Sequence, residues 1–271
     1  MCALCPHRCA LEEGAAGFCR ARKNENGTVV CANYGRATSL ALDPVEKKPL
    51  RRFFPGRMVL SVGSYGCNLR CPFCQNSEIS MSDGNLGTVS LSPQVLVEKA
   101  AELRPRGNIG IAYTYNEPLV GYEYVRDCAA LAKEKGLKNI VVTNGCFCEE
   151  PLRDLLPDID AMNIDLKAFS QRFYGRIGGD LETVKRAIAL CSAACHVEVT
   201  TLIVPGENDT EEEMRALSSW LAGVDPEIPL HVTRFFPRWK MSDRGPTPAE
   251  TVYALADAAR ERLRHVYVGN C

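Results

Sequence analysis

The sequence predicts an α/β fold: a parallel sheet of βαβ units, preceded by a small Cys-rich module. Three observations predict it. From residue 58 onward seven short β-branched runs alternate with longer segments of helical period. Those helical segments open on capping residues. Residues 1–56 break the alternation, with four cysteines in the first nineteen positions and little sustained periodicity. Strands that alternate with helices must lie parallel, because each crossover returns the chain to the same end of the sheet, and such crossovers are right-handed. Periodicity leaves open whether the sheet is closed, partly closed or open. The expected division is a Cys-rich module over 1–56, stabilised by metal or by docking because it is too small for a core of its own, and a βα domain over 57–271.

The strand runs are 59–63, 109–113, 139–143, 161–165, 196–204, 230–235 and 265–269, each short and rich in Val, Ile, Leu or Thr. Between them, Ser92 and Pro93 open a helix with Leu96, Ala100 and Leu103 on one face. Thr210 with Glu213 forms a capping box ahead of Met214, Leu217 and Leu221. Thr247, Pro248 and Glu250 repeat the signature ahead of Val252, Leu255, Ala259 and Leu263.

A chain of 271 residues with 46% apolar and 24% charged residues has the composition of a globular protein. No stretch approaches the roughly 18 apolar residues of a membrane span. The formal net charge of -1 gives no general attraction to nucleic acid or anionic lipid, so neither is an expected partner. The first thirty residues lack the apolar core of a secretory signal, which leads us to expect a cytoplasmic location. In that reducing compartment, closely spaced thiols among the fourteen cysteines read as metal ligands or catalysts.

Directly after the first of the seven runs stands Gly66-Cys67-Asn68-Leu69-Arg70-Cys71-Pro72-Phe73-Cys74-Gln75-Asn76. Three thiolates spaced CxxxCxxC can each bind a different iron of a [4Fe–4S] cube and leave the fourth iron without a protein ligand. The competing readings are a zinc site completed by a distant residue, or unligated thiols. Position favours the cube, since loops at the C-terminal ends of strands are where barrel active sites sit.

On this motif the sequence resembles the radical SAM superfamily. The likeness extends over essentially the whole chain to the radical SAM enzymes of the AmmeMemoRadiSam system, themselves similar to pyruvate formate-lyase activating enzymes. It is carried by Cys5-Pro6-His7-Arg8-Cys9, by Asp43-Pro44-Val45-Glu46-Lys47-Lys48-Pro49-Leu50, by the cysteine loop, by Thr114-Tyr115-Asn116-Glu117-Pro118, by Asp165-Leu166-Lys167 and by Tyr267-Val268-Gly269-Asn270. The chain departs from those relatives at Arg52 and Phe236, where they often carry His. The resemblance implies a partial (β/α) barrel and a [4Fe–4S] cluster on Cys67, Cys71 and Cys74. It further implies S-adenosylmethionine held at the open iron and cleaved reductively to a 5′-deoxyadenosyl radical that abstracts a hydrogen atom from substrate.

If the sheet is parallel, the residues just past each strand gather around that cluster, and their types suit a zwitterionic nucleoside. Glu117 can accept from an ammonium, with Tyr115 and Asn116 orienting the group. Thr143 and Asn144 suit ribose hydroxyls. Asp165 and Lys167, two apart in extended chain, share a face and can meet ribose and carboxylate. His231 is the better placed of His231 and Arg234 to face the cluster.

Cys2, Cys5, Cys9 and Cys19 form CxxCxxxCx9C, a set that suits a structural zinc or an additional [4Fe–4S] cluster. His7 and Cys31 are spare candidates. Cys128, Cys146, Cys148, Cys191 and Cys195 read as structural. Lys47, Lys48, Arg51, Arg52 and Arg57 make a basic run, either a solvated face or a docking patch for an acidic electron donor such as flavodoxin or ferredoxin. The expected function is hydrogen-atom abstraction from an unidentified substrate, a protein or system partner among the possibilities. The alternatives are activation of a glycyl-radical enzyme and a zinc-dependent binding module.

Overall fold

The computed structural model describes residues 1–271. Arg22–Glu25 (β1) and Thr28–Cys31 (β2) form an antiparallel hairpin. Its turn is Asn26-Gly27, both at positive φ, the pairing whose twist matches a two-residue hairpin. Arg36–Ala37 (β3), Ser39–Pro44 (β4) and Met58–Gly63 (β5) follow, and Val89–Ser90 (β6) returns to pair with β3. The remaining strands are Asn108–Tyr113 (β7), Lys138–Thr143 (β8), Ala161–Asp165 (β9), His196–Ile203 (β10), Leu230–Arg234 (β11) and Val266–Gly269 (β12). Together β4, β5 and β7 to β12 make one eight-stranded sheet in the order β12-β11-β10-β9-β8-β7-β5-β4.

Every neighbouring pair in that sheet is parallel except β4 and β5. Chain neighbours are sheet neighbours throughout, the winding of a β/α barrel, and β4 and β12 are its two unjoined edges. The sheet is therefore a partial barrel. β4 was not expected: this strand lies inside the main sheet, and Cys19, Ala21 and Ala37 lie in the main core. The Cys-rich segment is a change in composition without a break in packing.

The helices are Ser77–Ser80 (α1), Pro93–Glu102 (α2), Tyr122–Glu134 (α3), Glu149–Leu155 (α4), Gln171–Arg176 (α5), Leu181–Ser192 (α6), Glu211–Val224 (α7) and Ala249–Arg260 (α8). Ser92 caps α2 by accepting from Val95 N, and Thr210 caps α7 by accepting from Glu213 N, as expected. Thr247 does not cap α8. Its hydroxyl donates to Ile203 O at 2.6 Å, and Pro248 occupies the cap position. A buried hydroxyl bound to a strand carbonyl satisfies two polar groups at once, which an exposed cap would not.

Strand alternation splits the apolar residues into two cores. Leu60, Val62, Ile111, Val141 and Met162 belong to a large cluster with the helices. Val59, Ala112, Ile140 and Ala161 face the other way and pack with Val45, Leu50 and Phe53. Residues 45–57 join the end of β4 to the start of β5, so this second cluster is a plug set into the barrel from its N-terminal end. No helix is long and apolar enough to cross a membrane.

Candidate functional site

The cysteine loop leaves β5 at the C-terminal end of the sheet, the end away from the plug. Gly66 stands at φ +89°, and a Cβ there would come 2.6 Å from Cys19 O, so the close approach of the N-terminal segment requires glycine. Cys67 N donates to Cys19 O at 3.2 Å and Arg70 N to Ile177 O at 2.7 Å. Asn116 Nδ2 donates to Tyr65 O and Gly66 O, both at 3.1 Å, and its Oδ1 accepts from Ser64 N at 2.9 Å. Asn68 Nδ2 donates to Cys146 O and its Oδ1 accepts from Asn144 Nδ2, each at 2.8 Å. Asn76 Nδ2 donates to Tyr115 O at 2.7 Å. The loop is thus tied down by amide side chains before any ligand is considered.

Cys71 is buried, and Cys67 and Cys74 are half-buried. Burial pushes the Cys67 thiol well above its ordinary value, and Glu117 and Cys71 add to the shift. Burial likewise pushes Cys71 up to about 12, opposed by Lys167 and reinforced by Cys74. Thiols that raise one another in this way share one low-dielectric space, where a metal would replace their protons. No group of three or more Cys, His, Asp or Glu side chains in the chain is arranged to hold a single metal ion. Three soft thiols on one loop, close enough to interact, suit a cubic cluster whose irons each take one cysteine.

Glu117 is 3% exposed, and its carboxylate accepts from Thr143 Oγ1 and Asn144 N at 2.8 Å and from Leu119 N at 3.1 Å. Burial pushes it up to about 7 against those donors. It fixes the turn after β8, where Asn144 Nδ2 reaches Cys67 Sγ at 3.7 Å. Lys167 Nζ donates to Asp165 Oδ2 at 2.6 Å. Burial pulls the Lys167 ammonium down, but Asp165, then Cys71, outweigh it, so the cation is held firmly at the cysteine loop. The backbone of Lys167 is bound on both sides, by Tyr174 Oη to its N at 3.0 Å and by Asn208 Nδ2 to its O at 2.9 Å.

The structure brings Glu117, Thr143, Asn144, Asp165 and Lys167 to the cysteines, and sends two expected residues elsewhere. Tyr115, at φ +73°, turns into the barrel, where its hydroxyl donates to Asp43 Oδ2 at 2.8 Å and its ring meets the buried Lys48 ammonium at 4.7 Å. His231 Nε2 lies 2.6 Å from Glu198 Oε2, with its ring beside Tyr267, a buried pair within the sheet. Asn116 serves the loop backbone, as described. The basic run lies at the plug end, with Lys48 buried against Asp43, so it does not flank the cysteine loop. Exposed cations beside the cysteine loop include Lys240, after β11, whose N donates to Pro72 O at 3.0 Å.

The radical SAM superfamily profile matches residues 61–221, more than half of the chain. The chain belongs to the radical SAM superfamily. It is 40% identical over 274 residues to the uncharacterized protein MJ0808 of Methanocaldococcus jannaschii, covering 99% of this chain and 80% of that one. It is 25% identical over 167 residues to the pyruvate formate-lyase-activating enzyme of Clostridium pasteurianum, covering 59% of this chain and 67% of that one. Among solved structures, Streptococcus suis SuiB bound to its precursor peptide SuiA has the same fold, with a TM-score of 0.60 at 10% identity over 84% of this chain and 51% of that chain. This radical SAM chain is therefore an enzyme of radical chemistry, with an iron–sulfur cluster and S-adenosylmethionine implied by its family.

Asn68, Asn76, Tyr174 and Asn208 were not singled out in the sequence. Asn68 and Asn76 lie inside the cysteine motif, which is the one signal that could have drawn attention to them. Nothing in the chain pattern marks Tyr174 or Asn208, which act on a backbone 7 and 41 residues away.

Proposed function

We infer that this protein cleaves S-adenosylmethionine reductively and uses the resulting 5′-deoxyadenosyl radical to take a hydrogen atom from a substrate, in the manner of the AmmeMemoRadiSam enzymes. The carrying observation is the juxtaposition of three interacting thiols on the loop after β5 with the Asp165–Lys167 pair on the loop after β9. The bound cluster supplies one low-potential electron to the sulfonium. Cys67, Cys71 and Cys74 hold that cluster in a loop whose backbone is already fixed. Lys167 would offer its ammonium to the carboxylate of the methionine moiety, and Asp165, which orients the lysine, would be available to the ribose. Glu117 has three of its roughly four acceptor positions filled by Thr143, Asn144 and Leu119, which leaves one for the methionine ammonium. Burial of the loop keeps water and oxygen from the radical.

An acidic reductant such as flavodoxin or ferredoxin supplies the electron, and the reaction runs in the cytoplasm. A protein or peptide substrate is supported by the peptide-bound SuiB of the same fold. A second reading, activation of a glycyl-radical enzyme, is favoured by the likeness to the Clostridium activating enzyme. The test is anaerobic reconstitution followed by dithionite and S-adenosylmethionine. 5′-Deoxyadenosine is expected from the native chain and none from Cys67→Ala/Cys71→Ala/Cys74→Ala. An intact cofactor with the fully loaded native protein would overturn the assignment, and a glycyl doublet in the EPR spectrum of a partner protein would favour the second reading. The N-terminal cysteines form, on the same reading, a second thiolate metal site.

A further inference from the structure

We propose that Cys2, Cys5, Cys9 and Cys19 hold a second iron–sulfur cluster, and that its presence orders the loop carrying Cys67. The inference deepens the reading of these four as metal ligands. All four line one small cavity, whose other walls include Leu4, Phe18, Val120 and Phe147. Four thiols gathered in a largely apolar enclosure are the donor set of an iron–sulfur centre. The chain around them is already turned inward: Cys2 N donates to Cys9 O at 2.9 Å, and Phe18 N donates to Cys9 Sγ at 3.5 Å. An N–H aimed at a cysteine sulfur is the kind of bond that supports a ligating thiolate.

A further observation points to a ligand in that cavity. Arg22 also lines it, and Arg22 Nε is a buried donor without an acceptor at hydrogen-bond distance, the Cys31 thiol lying beside the guanidinium and its other nitrogens pairing with Glu123. A buried N–H without a partner costs about 1–3 kcal/mol, and the sulfurs of a cluster would accept from it. Ligation releases the proton of each thiol to solvent and changes no oxidation state of the protein.

The coupling to the catalytic loop runs through residues beside the ligands. Cys19 O accepts from Cys67 N at 3.2 Å. Phe18, its neighbour, carries the Arg70 guanidinium 3.9 Å above its ring and stacks on His7 at 4.0 Å. His7, between Cys5 and Cys9, places Nε2 2.9 Å from Asn68 O. Loss of the N-terminal centre would therefore release contacts to Cys67, Asn68 and Arg70 together.

The test is iron, acid-labile sulfide and zinc analysis of the anaerobically reconstituted full chain, with Mössbauer spectra. About eight iron and eight sulfide per chain, with negligible zinc, are expected from two cubes. Cys67→Ala/Cys71→Ala/Cys74→Ala should keep about four iron, and Cys9→Ser should keep the other four or so. Hydrogen exchange at Cys67 N should quicken about tenfold in Cys9→Ser, as local opening becomes easier. A native chain with about four iron, all lost in the triple variant, would overturn the proposal and leave S-adenosylmethionine cleavage standing. One zinc per chain that Cys9→Ser removes would overturn it equally. Unchanged exchange at Cys67 N in Cys9→Ser would overturn the ordering role. Four iron that survive the triple variant, with no 5′-deoxyadenosine made by the fully loaded native chain, would instead overturn the main functional reading and sustain this one.

Discussion

Lys167 is a half-buried cation held between a carboxylate and the cysteine-loop thiols. Its ammonium lies 2.6 Å from Asp165 Oδ2, and Cys71 and Cys74 are the next charges it meets. An ion pair of this kind, once bridged to a ligand carboxylate, exchanges solvation for charge-assisted bonds, and removing one partner leaves the other uncompensated. Lys167→Met keeps the length of the side chain and deletes the charge. We expect it to weaken S-adenosylmethionine binding by about 10–100-fold, near 1.4–2.7 kcal/mol, with the iron content unchanged. Equilibrium binding of the cofactor to the reconstituted variant, alongside iron analysis, checks both halves. Equal affinity in the two proteins would remove Lys167 from the cofactor site.

The cysteine loop depends on one glycine to meet the N-terminal segment. At Gly66 an added Cβ would sit 2.6 Å from Cys19 O and 2.9 Å from Ala21 Cβ, in a backbone conformation at φ +89° that disfavours any side chain. Gly66→Ala must therefore displace backbone against backbone, and we expect a loss of roughly 2 kcal/mol or more in stability, seen as a lower Tm, together with reduced cluster loading. Normal loading and Tm would show that the close approach is dispensable. The requirement was not readable beforehand, because CxxxCxxC announces its thiols and not the segment that will lie against them. The seven parallel strands were readable from alternation, since buried β-branched runs such as 139–143 leave a clear imprint. β4 was not: Ser39–Pro44 is an edge strand of half-exposed residues, so its sequence carries neither a continuous apolar run nor a sharp alternation. Glu117, Asp165 and Lys167 stand at or past the strand ends where the alternation put them, whereas Tyr115 and His231 turn to partners inside the sheet, because a parallel sheet has an interior as well as a mouth. Side chains just past or within a strand can turn down into it, as Tyr115 does toward Asp43.

The barrel as a whole is held at its closed end by a carboxylate inside it. Glu198, on β10, accepts from Arg51 N at 2.9 Å and Arg52 N at 2.7 Å, and meets His196 Nε2 at 2.9 Å and His231 Nε2 at 2.6 Å. It thus ties the plug segment to two strands of the sheet, and Asn163 Nδ2 adds a bond to Pro49 O at 2.9 Å. Burial alone would push the Glu198 carboxyl up, but His196, His231 and the two amides outweigh it and hold it down to about 2. Its folded value lies below its ordinary 4.5, so its contribution to stability is present above about pH 4.5 and is lost as pH falls through about 2. The shift corresponds to about 3 kcal/mol of stabilisation at neutral pH. Glu198→Gln should lower stability by about that amount at pH 7 in urea melts, and should flatten the fall in stability between about pH 4.5 and 2. Because the plug and the cysteine loop occupy opposite ends of the barrel, the folded variant should still load iron at Cys67, Cys71 and Cys74. A variant that melts like the native chain at pH 7 and keeps the same acid slope would show that the plug is held by Val45, Leu50 and Phe53 alone.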